Sequence, residues 1–171
     1  MFCGIDVGLK RCVSAVINER NELIYIGDYD KIPNVVAVGI DAPLSFPKSG
    51  YFRKCEKELL KMGIKIIPPI FLKRIASRGI EIAEKMRSKG IEVFEVYPYA
   101  TRVILNIAPR SKKRTKNGCK EIEKSLSKYV PVKDLSHDEL DAVISALTVK
   151  LYYEGKARII KGSDGSILVP I

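Results

Sequence analysis

The sequence predicts an α/β fold in which a mixed five-stranded sheet is flanked by helices. Three strand patterns at 2–7, 12–17 and 22–29 follow one another with turn-length connections, which predicts that the first three strands form an antiparallel meander. Two later strand patterns, at 35–40 and 91–97, are separated by helical patterns. Antiparallel strands followed by crossovers through helices indicate a mixed sheet with helices packed against it.

The remaining elements follow from apolar spacing and from chain breakers. The strand pattern at 35–40 is wholly apolar, which indicates burial on both faces. Gly63 and Gly90 end the first two helical patterns, which together form a helical insertion over about 53–90. All 171 residues fit one domain, 1–171. Helical patterns occupy 53–62, 70–89, 99–107 and 119–129.

The clearest helix pattern lies near the end of the chain. Ser136 and Glu139 have the spacing of a capping box, so the helix is expected to start there. Its apolar residues form one stripe, and Gly155 ends it. Two further strand patterns around Asp164-Gly165 predict a C-terminal hairpin. The stripe comprises Leu140, Val143, Ile144, Leu147 and Leu151.

Composition and charge narrow the classes of function. Hydrophobic residues make up 46% and charged residues 29% of the chain, which excludes disordered and low-complexity classes. The 30 basic and 20 acidic residues give a net charge of +10. This excess favours a polyanionic partner such as DNA or RNA, although a basic surface without a partner accounts for it equally well.

Other sequence signals bear on compartment and on cysteine chemistry. No apolar stretch reaches ten residues, so no membrane span is predicted. The first strand pattern starts at Phe2 without a charged leader or cleavage site, so we expect no signal peptide and a cytoplasmic protein. The four cysteines match no zinc pattern, and Cys3 and Cys12 are expected to be small core residues.

Three acidic residues occupy strand positions where apolar residues are expected. Asp6 lies inside the first strand, Asp41 follows the fourth, and Glu95 lies on one face of the fifth. Burying an unpaired carboxylate costs several kcal/mol. We therefore expect a shared role for the three residues, with their charges neutralised either by basic residues or by divalent metal.

The last helix adds two further acids. Asp138 and Asp141 are three residues apart, so they lie on one side of the helix and flank its apolar stripe. Asp138 also suits a structural role, because acids in a first turn complement the helix dipole. Carboxylate oxygens in this number favour Mg²⁺ or Mn²⁺, and two such ions support phosphodiester cleavage.

Basic residues supply candidate contacts to nucleic acid. Lys10 and Arg11 follow the turn after Asp6, where they would guide a phosphate or form an ordinary polar turn. His137 adjoins Asp138 and is either a proton shuttle or a structural donor. The basic loop at 110–116 would contact phosphates or be a solvated loop. Its candidate contacts are Arg110, Lys112, Lys113 and Arg114.

Six segments together carry a family resemblance. They are GIDVG at 4–8, GIDAPLSFP at 39–47, RKCEKELLKMGI at 53–64, EVYP at 95–98, HDELDA at 137–142 and GKARIIKGSDGSILVP at 155–170. Their order resembles the RNase H-like fold in its RuvC-type resolvase branch. More closely, the chain resembles a family of predicted RNase H-like nucleases, domain of unknown function 429.

This resemblance implies a role for each acidic residue. Asp6 would be the first-strand metal ligand that RNase H-like enzymes share, and Asp41 the second acid. Asp138 and Asp141 would match the paired helix acids of the RuvC branch. Glu95 belongs to the family's own EVYP segment. The 53–90 region departs from the resemblance, because it carries more helical sequence than a minimal RNase H core.

The resulting hypothesis is a hydrolase: a metal-dependent nuclease that cleaves DNA or RNA with two Mg²⁺ or Mn²⁺ ions. An alternative is an actin-like ATPase, because Asp6-Val7-Gly8 resembles its first turn. That class uses two such domains, which a homodimer would supply, and its glycine-rich phosphate loop is absent. A second alternative is a non-catalytic nucleic-acid-binding module.

Overall fold

The computed structural model describes all residues from Met1 to Ile171. Its central sheet has five strands in the order β3-β2-β1-β4-β5. Neighbours among the first three strands are antiparallel, whereas β4 runs parallel to both β1 and β5. The predicted mixed sheet is therefore confirmed. The strands span Phe2–Val7 (β1), Cys12–Ile17 (β2), Leu23–Gly27 (β3), Ala37–Asp41 (β4) and Glu92–Glu95 (β5).

Strands β1 and β2 have the predicted bounds, but the other three differ. Strand β3 ends at Gly27 because the chain turns at once into a short 3-10 helix, Tyr29–Lys31. Strand β4 continues to Asp41, which pairs in parallel register with Asp6. Strand β5 ends at Glu95, because the chain beyond it soon enters a helix.

Five α-helices accompany the sheet, and two of them start three residues away from the predicted position. The second helix begins later, since Pro69–Leu72 forms a 3-10 turn in front of it. The fourth begins at Lys116 because the Thr115 side chain accepts a hydrogen bond from the Gly118 amide and caps it. The helices are Lys54–Lys61 (α1), Lys73–Ser88 (α2), Pro98–Ile104 (α3), Lys116–Leu126 (α4) and His137–Tyr153 (α5).

Helix α5 is the centre of the main hydrophobic core. Its capping box is confirmed: Ser136 Oγ accepts from the Glu139 amide at 3.3 Å, and Glu139 Oε2 accepts from the Ser136 amide at 2.8 Å. The predicted single apolar stripe is wrong, because every residue from Leu140 to Leu151 is buried. The sheet covers one side of α5, and helices α3 and α4 with the C-terminal hairpin cover the rest.

A glycine in β1 sets the distance between the sheet and α5. A Cβ atom at Gly4 would lie 2.0 Å from the Ala142 carbonyl oxygen and 2.4 Å from the Ala146 amide nitrogen. Any side chain at this position would therefore push the helix away. Gly39 of β4 lies under α5 in the same way, since a Cβ atom there would be 2.8 Å from a methyl group of Val149.

Two smaller cores complete the fold. Helix α2 packs Ile82, Ala83 and Met86 against the opposite face of the sheet. The predicted hairpin forms from Ala157–Gly162 (β6) and Gly165–Pro170 (β7), and packs with α1 and α3. Cys3 and Cys12 are buried, as predicted. No helix combines the length and the apolar character needed to cross a bilayer.

Candidate metal centre and its surroundings

Asp6 and Asp41 lie side by side at one edge of the sheet. They are register partners at the carboxyl ends of the parallel strands β1 and β4. Strand side chains alternate between faces, so each aspartate shares the face of the glycine two residues before it. Gly4 and Gly39 both face α5. Both carboxylates are therefore directed to the side of the sheet that α5 covers.

Helix α5 brings a third carboxylate to the same place. Asp141 lies in the second turn of the helix, one residue before Ala142, whose carbonyl oxygen approaches Gly4. Carboxylate oxygens of Asp6, Asp41 and Asp141 lie within 4.8 Å of one another. The close approach that the two glycines permit thus brings the helix acid to the strand acids.

Burial and mutual repulsion disfavour the simultaneous ionisation of these three acids. Burial, then the charges of Asp141 and Asp138, raise the pKa of Asp6 to about 7. The pKa of Asp41 is raised well above its ordinary value by burial and by Asp141 and Asp6. Burial also raises the pKa of Asp141, although Lys113 opposes the shift. The cluster therefore favours any cation placed among its oxygens.

Lys113 is the cation in direct contact with the cluster. Its ammonium pairs with Asp141, and its side chain is 42% exposed. Burial disfavours the charged form of Lys113, but Asp141, Asp41 and Asp6 outweigh it and raise the lysine pKa. The Cys119 thiol donates to the Lys113 carbonyl oxygen at 2.8 Å and fixes the backbone there.

The three-carboxylate group fits a divalent metal ion. Its donors are all hard oxygen atoms, which Mg²⁺ and Mn²⁺ prefer. One lysine leaves a surplus of negative charge when Asp6, Asp41 and Asp141 are ionised. These three residues would hold the ion.

Asp138 lies beside this group rather than inside it. Its side chain is half-exposed, and its Oδ1 atom is 2.7 Å from His137 Nδ1. Its charge nevertheless contributes to the raised pKa of Asp6. Asp138 and His137 therefore lie outside the three-carboxylate group, and their predicted roles in metal binding and proton transfer stay predictions.

Glu95 forms a buried ion pair with Arg53. Its carboxylate accepts from both terminal nitrogens of Arg53 and, at 2.7 Å, from the Leu44 amide. Burial raises the pKa of Glu95 although Arg53 opposes the shift. Glu95 lines the same cavity as Asp6 and Asp41. Its role as a metal ligand stays a prediction.

Sequence reasoning found no role for Arg53, which the structure shows to be fully buried. Besides Glu95 it donates to Glu56 at 2.7 Å and to Ser45 Oγ at 2.8 Å. Ser45 in turn donates to the Asp164 carbonyl oxygen at 2.7 Å, so Arg53 links the sheet edge to the hairpin turn. The signal in the sequence was an arginine in front of a helix with glutamate three residues later.

The acidic cluster opens into a cavity of about 250 Å³. Asp6 and Asp41 line one side, with Arg53, Glu95 and Lys113. Much of the remaining lining is apolar, and part of it comes from the segment that leads into α2. A site of this kind combines a charged end with a wall able to exclude water. The apolar lining includes Val7, Ile66, Ile67, Leu72 and Ile75.

Most of the predicted nucleic-acid contacts lie on the surface. Lys10 is exposed in the turn after β1, and Arg11 is 3.8 Å from Asp28. In the basic loop only Lys113 reaches the acidic cluster. The contact of all these basic residues with nucleic acid stays a prediction. The other exposed loop cations are Arg110, Lys112 and Arg114.

Residues 4–164 match the model of a protein family described as Protein of unknown function (DUF429). The chain belongs to this family. The sheet order and strand directions are those of the RNase H-like fold that the motifs predicted, with the C-terminal hairpin added. For this DUF429 protein, a comparison with curated proteins gives no significant match.

Two solved structures are similar to this DUF429 protein over nearly the whole chain. T. thermophilus RuvC in complex with a Holliday junction substrate is 12% identical with a TM-score of 0.49, covering 97% of this chain and 99% of that chain. A second Thermus thermophilus RuvC structure is 11% identical with a TM-score of 0.45, covering 96% and 98%.

Proposed function

We propose that this protein is a nuclease that hydrolyses phosphodiester bonds of DNA or RNA with the help of Mg²⁺ or Mn²⁺. The observation that carries the proposal is the convergence of Asp6, Asp41 and Asp141, whose oxygens lie within 4.8 Å of one another. A net charge of +10 on a chain with this acidic cluster supports a polyanionic substrate. Acids at the centre hold metal, while the basic surface holds phosphate.

In this proposal two ions would share the carboxylates. Asp6, Asp41 and Asp141 would hold one ion, and Asp138 would help to hold the other. Bound divalent metal would supply an activated water and stabilise the leaving oxygen. His137, whose Nδ1 atom is 2.7 Å from Asp138 Oδ1, would hold a proton in this proposal.

Lys113 has two partners in this proposal. Without substrate its ammonium pairs with Asp141 and reduces the repulsion within the cluster. Its side chain is long and partly exposed, so it can exchange that carboxylate for a phosphate oxygen of the substrate. The exposed cations of the same loop and of the turn after β1 would hold neighbouring phosphates.

The test is cleavage of a labelled panel of single strands, duplexes, DNA–RNA hybrids and four-way junctions. Each substrate is incubated with Mg²⁺, Mn²⁺ or EDTA. The matched variants are Asp6→Asn and Asp134→Asn, because Asp134 is exposed and its positive φ of 58° suits asparagine equally well.

We expect metal-dependent cleavage by the wild type and by Asp134→Asn. The cleavage rate of Asp6→Asn should be more than about 100-fold lower than that of the wild type. Mutation of residues that only hydrogen-bond to metal ligands already costs about 10- to 100-fold in metal affinity or activity. Binding of nucleic acid without cleavage of any substrate would instead favour a non-catalytic module. Equal loss in both variants would contradict the assigned site.

A further inference from the structure

Two exposed aromatic side chains stack on each other at the protein surface. Tyr51 is 62% exposed and Phe71 is 69% exposed. Their ring centroids are 6.1 Å apart and the planes differ by 18°. Neither ring is needed to fill the core, so the pair presents π faces to solvent.

The aromatic pair is close in sequence to residues that line the acidic cavity. Phe71 directly precedes Leu72, and Tyr51 is two residues before Arg53; Leu72 and Arg53 both line the cavity. Ile67, also in the lining, is 57% exposed. The stacked rings and the acidic cavity are therefore carried by the same two segments of the chain.

A cationic groove lies on the other side of the same segment. Lys73, Arg74 and Arg78, on the first turns of α2, line it with one acid, Glu81. Leu72 and Ile75 of the same stretch line the acidic cavity instead. The groove and the cavity are thus adjacent, separated by the start of one helix.

An arginine of α2 links this groove to the turn after β1. Arg78 Nη1 donates to the Gly8 carbonyl oxygen at 2.6 Å and to the Leu9 carbonyl oxygen at 2.9 Å. Leu9 lines the groove, and Lys10 follows it in the turn after β1. Arg78 therefore positions the turn, while Lys73 and Arg74 remain without a carboxylate partner.

We propose that this surface binds single-stranded nucleic acid, with bases stacked on Tyr51 and Phe71 and phosphates held by Lys73 and Arg74. Exposed aromatic rings bind unpaired bases of any sequence, whereas a duplex hides its base faces. A groove with three cations to one acid complements the phosphate backbone. This inference rests on the proposed function and assigns its substrate class as a single strand, or a single-stranded segment, of DNA or RNA.

The first test is binding without catalysis. Fluorescence anisotropy of labelled single-stranded DNA and RNA oligonucleotides is measured in EDTA, with a blunt duplex for comparison. Phe71→Leu keeps an apolar side chain but removes the aromatic ring. Phe71→Tyr keeps the aromatic ring and is the matched control. Loss of stacking on one ring should weaken single-strand binding by about 5- to 150-fold, and Phe71→Tyr should bind like the wild type.

The second test concerns the groove. Arg74→Ala removes a groove cation, and Lys89→Ala removes an exposed cation just past the far end of the same helix. Arg74→Ala should weaken binding and lower the slope of log affinity against log salt by about 0.7. Lys89→Ala should change neither. The exposed positions of both residues keep effects on folding small.

The outcomes separate this inference from the proposed function. Single-strand binding that depends on Phe71 and Arg74, without cleavage in any metal, would keep the inference and remove the nuclease. Metal-dependent cleavage with unchanged binding in Phe71→Leu and Arg74→Ala would keep the nuclease and overturn the inference. Duplex binding as tight as single-strand binding would also overturn it.

Discussion

The ammonium of Lys113 pairs with the carboxylate of Asp141, although Lys113 belongs to a loop whose other cations are exposed. This pair places a positive charge where the proposed function places a metal ion. Lysine and metal therefore compete for the same oxygen atoms.

Replacing Lys113 by methionine should tighten Mn²⁺ binding by about tenfold, because one competing charge near the site is worth at least about 1.4 kcal/mol. Isothermal titration calorimetry with Mn²⁺ alone measures the affinity. Lys112→Met, one residue earlier and exposed, is the control and should bind Mn²⁺ as the wild type does. Weaker binding by Lys113→Met would show that the lysine helps to form the site.

The stability of the metal-free protein should fall as pH rises from about 4 to about 7. Burial and the neighbouring acids raise the pKa of Asp6 from its ordinary value to about 7. The folded protein thus binds this proton more tightly than the unfolded chain, so the free energy of unfolding decreases until both states are ionised. Thermal unfolding in EDTA across this range measures the effect.

Asp6→Asn is the matched variant for this pH dependence. The stability of Asp6→Asn should fall less steeply with pH than that of the wild type. At pH 7.5 its midpoint of thermal unfolding should be higher by at least about 2–4 °C, which is the shift that 1 kcal/mol gives in a domain of this size. Added Mn²⁺ should raise the wild-type midpoint much more than that of Asp6→Asn. Parallel curves for the two proteins would contradict the assigned pKa.

Gly4→Ala should disturb the site without touching any acid. The added methyl group would meet the backbone of Ala142 and Ala146, so α5 must shift away from β1. Overpacking of this kind costs about 1–3 kcal/mol or more. We expect lower stability in urea and weaker Mn²⁺ binding. Gly39→Ala should have the smaller effect, because its nearest contacts, a Val149 methyl group at 2.8 Å and the Ser145 carbonyl oxygen at 3.0 Å, are less close.

Removal of Arg53 should destabilise the protein strongly. Arg53→Met leaves the carboxylates of Glu56 and Glu95 buried without their cation, which costs about 3–5 kcal/mol. Chemical denaturation measures the loss. Arg158→Ala, at an exposed position of β6, should stay within about 0.5 kcal/mol of the wild type. A loss below about 1 kcal/mol for Arg53→Met would argue against the buried network.

Much of the fold was predictable because its signals are local. Strands β1 and β2 have apolar runs with clear turns between them, and Ser136 with Glu139 defines the start of α5. The breadth of burial around α5 was not predictable, since it depends on elements that cover the helix from several sides. Local spacing shows one stripe, whereas tertiary packing buries every face.

The site, like the fold, has features that the sequence predicts and features that only the structure shows. Asp6 and Asp41 were identifiable as acids in apolar strands, and the structure places them in register. The partner of Glu95 was not identifiable, because Arg53 is distant in sequence and comes from another element. The position of Lys113 was missed for the same reason, since charge counting treats every lysine of a basic loop alike.

The dependence of the acidic cluster on α5 has a consequence for synthesis of the protein. Strands β1 to β5 and helices α1 to α4 all precede Asp141 in the chain. A nascent chain on the ribosome therefore holds only two of the three clustered carboxylates until α5 emerges and docks over Gly4. In the proposed nuclease, hydrolytic capacity would therefore arise only after α5 has been synthesised and has docked, so shorter nascent chains would be inert.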